Sequence, residues 1–302
     1  LAGQVHMIAG EMGLPLDQAV ALAAHLPPGL RAEFKPGLAY EHLDVNPAHP
    51  ALGDARVRRA LLMAIDRQAI SRDLFGGRLP VADGPVSPLE PIHDPAVRHY
   101  DYDPARAAAL LDEAGWKRAG NGPRRNGAGQ TLTIDLGTTA GNRTRELLQQ
   151  VIQTQWRRIG VEVRPFTQVS RTFFADTVTR RAFSGVVLYS WFGTPGQAPR
   201  STLHSAFIPG ADNNFSGQNF TGYADPRMDA LIESIDAELD PARRTASWRQ
   251  MQALYAEELP ALPLFFIPAA FILPDWLHGL RPTGHDAPSS LWVSEWRAEG
   301  RR

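Results

Sequence analysis

From Thr131 to Tyr189 the apolar residues switch between a period of two and a period near 3.6, and that alternation is what most restricts the fold. Leu132, Ile134 and Leu136 alternate as a strand. Leu147, Leu148, Val151, Ile152 and Ile159 then mark the inner side of a helix over 142–159, closed by Gly160. A second strand is expected at 161–166, a helical segment at 173–180 and a third strand at 186–189. Strands and helices taken in turn predict right-handed crossovers and a largely parallel sheet, hence an α/β fold.

The third strand opens the most informative stretch, 184–223. Val186, Val187, Leu188 and Tyr189 form a short apolar run that reads as a strand buried on both faces, ending at Ser190, Trp191, Phe192 and Gly193. About thirty residues of loop follow, far beyond the usual four to six, so the loop is expected to be functional or disordered. Trp191, Phe192, Phe207, Phe215, Phe220 and Tyr223 are too many aromatics for a solvated linker. In open α/β sheets ligands sit beyond the carboxyl ends of strands, so this loop is the expected binding surface.

Elsewhere the pattern is mixed. Leu16–Leu26 has helical spacing, stopped by Pro27-Pro28-Gly29, and a strand is expected from Phe34 to Val45. These first elements find no partner within their own segment and read as part of a neighbouring lobe. Residues 54–75 predict one continuous helix with Asp54 as N-cap; Val57, Leu61, Ala64, Ile65 and Ile70 face inward, while Arg58, Arg59, Asp66, Arg67 and Arg72 cover the solvent side. Pro80–Pro95 is a proline-rich loop. Asp103-Pro104, Asp225-Pro226 and Asp240-Pro241 each open a helix. The apolar run 262–273, interrupted by Pro263 and Pro268, reads as a pair of strands. The tryptophans of the tail (Trp276, Trp292, Trp296) are expected to bury against residues 1–45.

Composition removes several function classes. At 302 residues the chain can bury a full core. Thirty-one basic against thirty-two acidic residues leave no electrostatic footprint for nucleic acid or an anionic membrane. Cysteine is absent, which excludes disulfides, thiolate metal sites and Cys nucleophiles. No run of eighteen apolar residues offers a membrane span. Nine histidines give no HExxH, no GxSxG elbow is present, and GxGxxG is absent, so no catalytic, metal or cofactor constellation is expected. The chain starts at Leu1 rather than Met, and we expect a piece of a longer protein whose signal peptide lies outside it.

A resemblance enters with Asp44-Val45-Asn46-Pro47, then Asp54-x-Arg56-Val57-Arg58-Arg59-Ala60-Leu61 and Ala64-Ile65-Asp66-Arg67. It continues through Tyr102-Asp103-Pro104, Leu110-Leu111-Asp112-Glu113-Ala114-Gly115-Trp116 and Gln155-Trp156, and ends at Pro263-Leu264-Phe265. In this order the motifs resemble the extracytoplasmic solute-binding proteins of peptide/nickel-type ABC importers, bacterial solute-binding protein family 5. Members look like clamshells longer than this chain, which is similar only to their C-terminal portion. The resemblance implies a type II periplasmic-binding-protein lobe with a mostly parallel sheet, in a truncated clamshell. Residues 1–45 would be a remnant of the first lobe and hinge, 46–262 the complete C-terminal ligand-binding lobe, and 263–302 a return segment packing on the remnant.

The same resemblance implies function and site. It implies a receptor that captures a peptide or related small solute in a cleft between lobes and delivers it to membrane permease subunits, outside the cytoplasm and without catalysis or cofactor. Peptide binders of the family carry, after the matching strand, a Trp closely followed by an Asp that receives the ligand's ammonium. Trp191 stands in that place, but Phe192, Gly193 and Thr194 follow with no acid. A buried ammonium without a counter-charge costs several kcal/mol. A blocked peptide, a sugar-like or opine-like ligand, or an acid from the missing lobe are the alternatives. Expected ligand contacts are Ser190, Trp191, Phe192, Gly193 and Thr194, with Arg200, Asn214, Asn219 and Tyr223 from the loop. The competing classes are a peptide or amide hydrolase, for which no nucleophile–base pair is visible, and a sensor or chaperone-like binder with the same cleft.

Overall fold

The computed structural model describes residues 5–9, 13–284 and 289–300. After α1 (Leu16–Ala23) the chain enters a long strand, β1 (Leu30–Val45), then two short helices, α2 (Ala55–Met63) and α3 (Arg67–Phe75), and α4 (Pro104–Glu113). A small ribbon of β2 (Lys117–Arg118) and β3 (Arg124–Arg125) leads to β4 (Thr133–Thr139), α5 (Arg143–Arg158) and β5 (Glu162–Gln168). A short turn of helix, α6 (Ser170–Thr172), runs into a π-helical segment (Phe173–Val178), and then comes β6 (Val186–Phe192). The last part holds α7 (Arg200–Leu203), α8 (Pro226–Ala237), α9 (Pro241–Glu258) and β7 (Ala261–Pro274), with β8 (Leu277–His278) pairing β9 (Arg297–Ala298).

Five strands form the central sheet in the order β5-β4-β6-β1-β7. β4 runs parallel to both β5 and β6, whereas β1 is antiparallel to β6 and to β7. Four of the five strands therefore point the same way and only β1 opposes them, so the alternation of strands and helices yields an α/β sheet with one reversed strand.

Helix starts follow their caps. Asp54, Asp66, Asp103, Asn142, Asp225 and Asp240 each accept a backbone N–H of the first turn they precede. Asp66 is the reason that 54–75 is two helices and not the single one expected. It caps α3 through Ala69 N at 2.8 Å, and its own N–H is held by Gln155 Oε1 at 3.0 Å. The break turns Arg67 inward. Its guanidinium donates to the carbonyls of Pro263 at 3.0 Å and Tyr100 at 2.6 Å, and Arg58 likewise donates to Leu52 O at 2.8 Å. Both arginines, expected at the solvent side, are thus buried where they satisfy carbonyls of the loops at Leu52 and Tyr100 and of Pro263 in β7.

β7 is one strand and not two. The ladder between β1 and β7 shifts register between Lys35 and Ala39, beside Pro36-Gly37 and opposite Pro268, and again at Glu41/His42, opposite Pro263. Proline gives no N–H to a ladder, and here the strand absorbs each one as a bulge rather than ending. β6 also runs further than expected, through Ser190, Trp191 and Phe192, because Ala39–Glu41 of β1 pair with those residues.

Side chains alternate across this sheet. Leu43 and Val45 of β1, Val186 and Leu188 of β6, and Leu136 of β4 share one core with Leu61, Leu111, Leu148, Ile152 and Trp156. Trp156 is fully buried and its Nε1 donates to Leu61 O at 2.9 Å. On the other face Val187 and Tyr189 join Phe173, Val178 and Phe183, and α8 packs on α9 through Met228, Ile232, Ile235 and Met251. The chain's beginning and end meet: Ile8 bridges Ile272, and Met7 and Ala9 pack with Leu277, Trp276 and Trp296. The expected lobe edge at 262/263 falls inside the β1–β7 ladder, where Leu43 pairs with Leu262 and His42 with Pro263, and the edge at 45/46 coincides with the end of β1.

Candidate functional site

The register of β1 against β6 sets the site. His42 lies opposite Tyr189 and Tyr40 opposite Trp191, so with a period of two Tyr40, His42 and Asp44 emerge on the same side as Val187, Tyr189 and Trp191. Of these, Tyr40, His42, Asp44, Tyr189 and Trp191 floor a cavity of about 480 Å³ at the carboxyl end of β6. Ser190, Phe192, Gly193 and Thr194 continue its wall, and the long loop adds Gln197, Thr202, Gln218, Phe220 and Thr221. Pro85, Val86 and Glu90 come from the proline-rich loop, and Trp248 and Tyr255 from α9. A volume of this size suits a small organic solute.

The long loop is ordered rather than disordered. It contains α7 and two short 3-10 turns, Ser205–Phe207 and Ala211–Asn213. Asn219 is fully buried and ties the loop to itself: Nδ2 donates to His204 O at 3.2 Å and Tyr223 O at 2.8 Å, while Oδ1 accepts from Thr221 Oγ1 and Tyr223 N. Trp191 stands edge-on to Tyr189 and Phe220, with ring centroids 6.3 and 6.1 Å apart, and Phe192 is half exposed at the rim.

Polar order at the floor is tight. The Tyr189 hydroxyl donates to Asp44 Oδ2, and His42 Nε2 lies 3.2 Å from Asp44 Oδ1. His42 Nδ1 is 3.0 Å from Tyr40 O, so both ring nitrogens face acceptors and only an imidazolium supplies a proton to each. Burial by itself lowers the His42 pKa, but the Asp44 carboxylate and these hydrogen bonds outweigh it and the pKa is raised. The Tyr40 and Tyr255 hydroxyls are 2.9 Å apart, and burial raises the pKa of Tyr40, Tyr189 and Tyr255 alike, which keeps all three neutral. The imidazole of His42 stacks on Tyr40, with centroids 4.7 Å apart.

Of the residues expected from sequence, Ser190, Trp191, Phe192, Gly193 and Thr194 are gathered on this cavity. Ser190 also lines a second, smaller cavity of about 240 Å³, where its Oγ accepts from Arg145 Nη2 at 2.6 Å and Arg145 pairs with buried Glu41 at 2.8 Å. Arg200, Asn214, Asn219 and Tyr223 do not line the main cavity. Arg200 is paired with Asp236 at 2.7 Å, Asn214 sits exposed at a left-handed turn, and the Tyr223 hydroxyl donates to Asp225. Sequence reading missed Tyr40, His42, Asp44 and Glu90. The first three carried a visible signal, the alternation Tyr40-x-His42-x-Asp44 on an expected strand; Glu90 carried none.

The model of the family "Bacterial extracellular solute-binding proteins, family 5 Middle" matches residues 1–213. A di/tripeptide-binding protein of Pseudomonas aeruginosa is 29% identical over 225 residues, 74% of this chain and 39% of that protein. A nickel-binding periplasmic protein of Escherichia coli is 26% identical over 267 residues, 88% of this chain and 49% of that protein. Among solved structures, an oligopeptide-binding protein of Thermus thermophilus complexed with a pentapeptide superposes with a TM-score of 0.85 at 28% identity, covering 99% of this chain and 55% of that one. The chain spans about half the length of the curated relatives it matches. With the matched residues running through β1, the helices α2–α5, β6 and most of the long loop, the chain belongs to the bacterial extracellular solute-binding proteins of family 5.

Proposed function

We propose that this chain is the cavity-bearing half of a solute receptor of an ABC importer, which captures a peptide or a related small solute and passes it unchanged to membrane permease subunits outside the cytoplasm. One observation carries the reading: an aromatic cavity of about 480 Å³, walled by the end of β6 and its loop, in a chain whose fold matches more than half of a protein solved with a pentapeptide. Ser190, Trp191, Phe192, Gly193 and Thr194 would be the first contacts, with Tyr40, Tyr189 and Phe220 packing beneath. Binding would be closure of two lobes over the solute, favoured because the closed form makes contacts that the open form lacks.

The floor is built for holding. Its hydroxyls, the Asp44 carboxylate and the His42 ring already satisfy one another, so the solute meets a preformed surface with little to reorganise. The test is to incubate the full-length protein with a library of di- to pentapeptides, isolate the complex and weigh what it releases. Retention of intact peptides supports the receptor. Release of shortened peptides, or retention of none, overturns it.

A further inference from the structure

The charges around the main cavity are unequal in a way that selects among solutes, and this inference rests on the receptor reading above. Three charged side chains line the cavity: His42, Asp44 and Glu90; no arginine or lysine does so among the described residues. Asp44 is already compensated, since its two oxygens hold the His42 ring and the Tyr189 hydroxyl. Glu90 is different. Oε2 accepts the Gly196 N–H at 3.0 Å and Oε1 accepts the Ser87 N–H at 3.3 Å, both neutral donors. It forms no ion pair among the described residues, although it is half-buried. These two bonds also hold its carboxylate in place, between the proline-rich loop and the long loop after β6.

Held only by neutral amide donors, this partly buried carboxylate has no ion-pair partner among the described residues to balance it. The same cavity is lined by the rings of Trp191, Phe192, Phe220 and Trp248, which favour apolar or cationic groups, and its one imidazole, His42, is already held by Asp44. We propose that Glu90 provides the counter-charge for a positively charged group of the solute, so that this wall of the cavity takes cationic solutes with an apolar body and discriminates against anionic ones. The acid comes from the loop before α4, about a hundred residues away in sequence from the β6 loop that it faces.

Three probes that differ only at their ends separate the possibilities: leucyl-leucine amide, which is cationic; N-acetyl-leucyl-leucine amide, which is neutral; and N-acetyl-leucyl-leucine, which is anionic. Calorimetry on the full-length protein is expected to rank them in that order, with about tenfold or more between the cationic and the neutral probe. Glu90→Gln, which retains an acceptor for Gly196 N–H, is expected to shrink that ratio to about twofold. Equal or tighter binding of the neutral or anionic probe by the unsubstituted protein overturns the assignment while leaving the receptor reading intact, and it does so whether or not the variant folds. A ratio that survives Glu90→Gln in a folded variant also overturns it. If none of the three binds, the receptor reading falls and the assignment with it.

Discussion

His42 shows how one residue can be fixed by its neighbours' acceptors. Two oxygens, from Asp44 and the Tyr40 backbone, stand at its two nitrogens, and burial opposes the charge that they demand. The carboxylate wins, so the folded pKa is raised above the ordinary value of 6.5. The sign follows: stabilisation from protonated His42 is complete below the unfolded value and is lost as pH rises through the higher folded one. His49, whose pKa is lowered by burial, works in the opposite sense in the same region, so the effect is best read residue by residue. We expect the His42 ring resonances to titrate above 6.5 in a nuclear magnetic resonance experiment. In Asp44→Asn the same ring is expected to titrate below 6.5, because burial then stands without its carboxylate. A His42 titration that does not move in Asp44→Asn would show that the backbone carbonyl, and not the acid, sets it.

At the scale of elements, the loop after β6 is the part whose order was hardest to read. It has few hydrophobic repeats, and its fold rests on backbone conformations and amide ties that a periodicity search does not register. Gly217 is one of these. It has φ +106°, and a Cβ added there would lie 2.1 Å from the Phe207 carbonyl oxygen. The Asn219 N–H donates to that same oxygen at 3.0 Å. Gly217→Ala is expected to cost about 1–3 kcal/mol, combining the strained φ with the clash, and to lower the melting temperature. It should also loosen Phe220, which packs on Trp191, so solute affinity should fall together with stability. Unchanged melting and binding would mean that the 207–217 contact is dispensable. The same scale explains the split helix: α2 and α3 share one apolar stripe in sequence, but the Asp66 cap and Gln155 break the backbone between them.

The whole molecule places its cavity beside the strands that join its beginning to its end. β1 and β7 pair along almost their full length, yet β6 covers β1 only from Ala39 onward, so the Leu30–Lys35 half of the ladder continues past the lobe's own sheet. On the receptor reading proposed above, this chain would supply only one wall of the closed cavity, and so only part of its contacts. We therefore expect the 302-residue chain, tested by calorimetry with leucyl-leucine amide, to bind at least about tenfold more weakly than the full-length protein. Equal affinities would mean that this lobe binds on its own.

Several features were decided by the sequence itself. Aspartate and asparagine caps, proline at the first helical turn, and the period change between 131 and 189 depend on near neighbours, and the α/β class and most helix starts follow from them. The aromatic segment 190–194 was legible as a candidate wall because it ends a buried strand. Tertiary structure decided the rest. Whether Pro263 ends a strand or bulges depends on what β1 offers opposite it, and whether Arg67 faces water or carbonyls depends on the turn made at Asp66. Next to Trp191 in the chain, where sequence proximity can be read, no acid follows. The structure instead brings Glu90 to the cavity across the fold, through two backbone amides, and pairs Asp44 with a histidine and a tyrosine on neighbouring strands. Local structure is set by bonded neighbours, whereas the charge of a cavity is a sum over residues that only packing brings together.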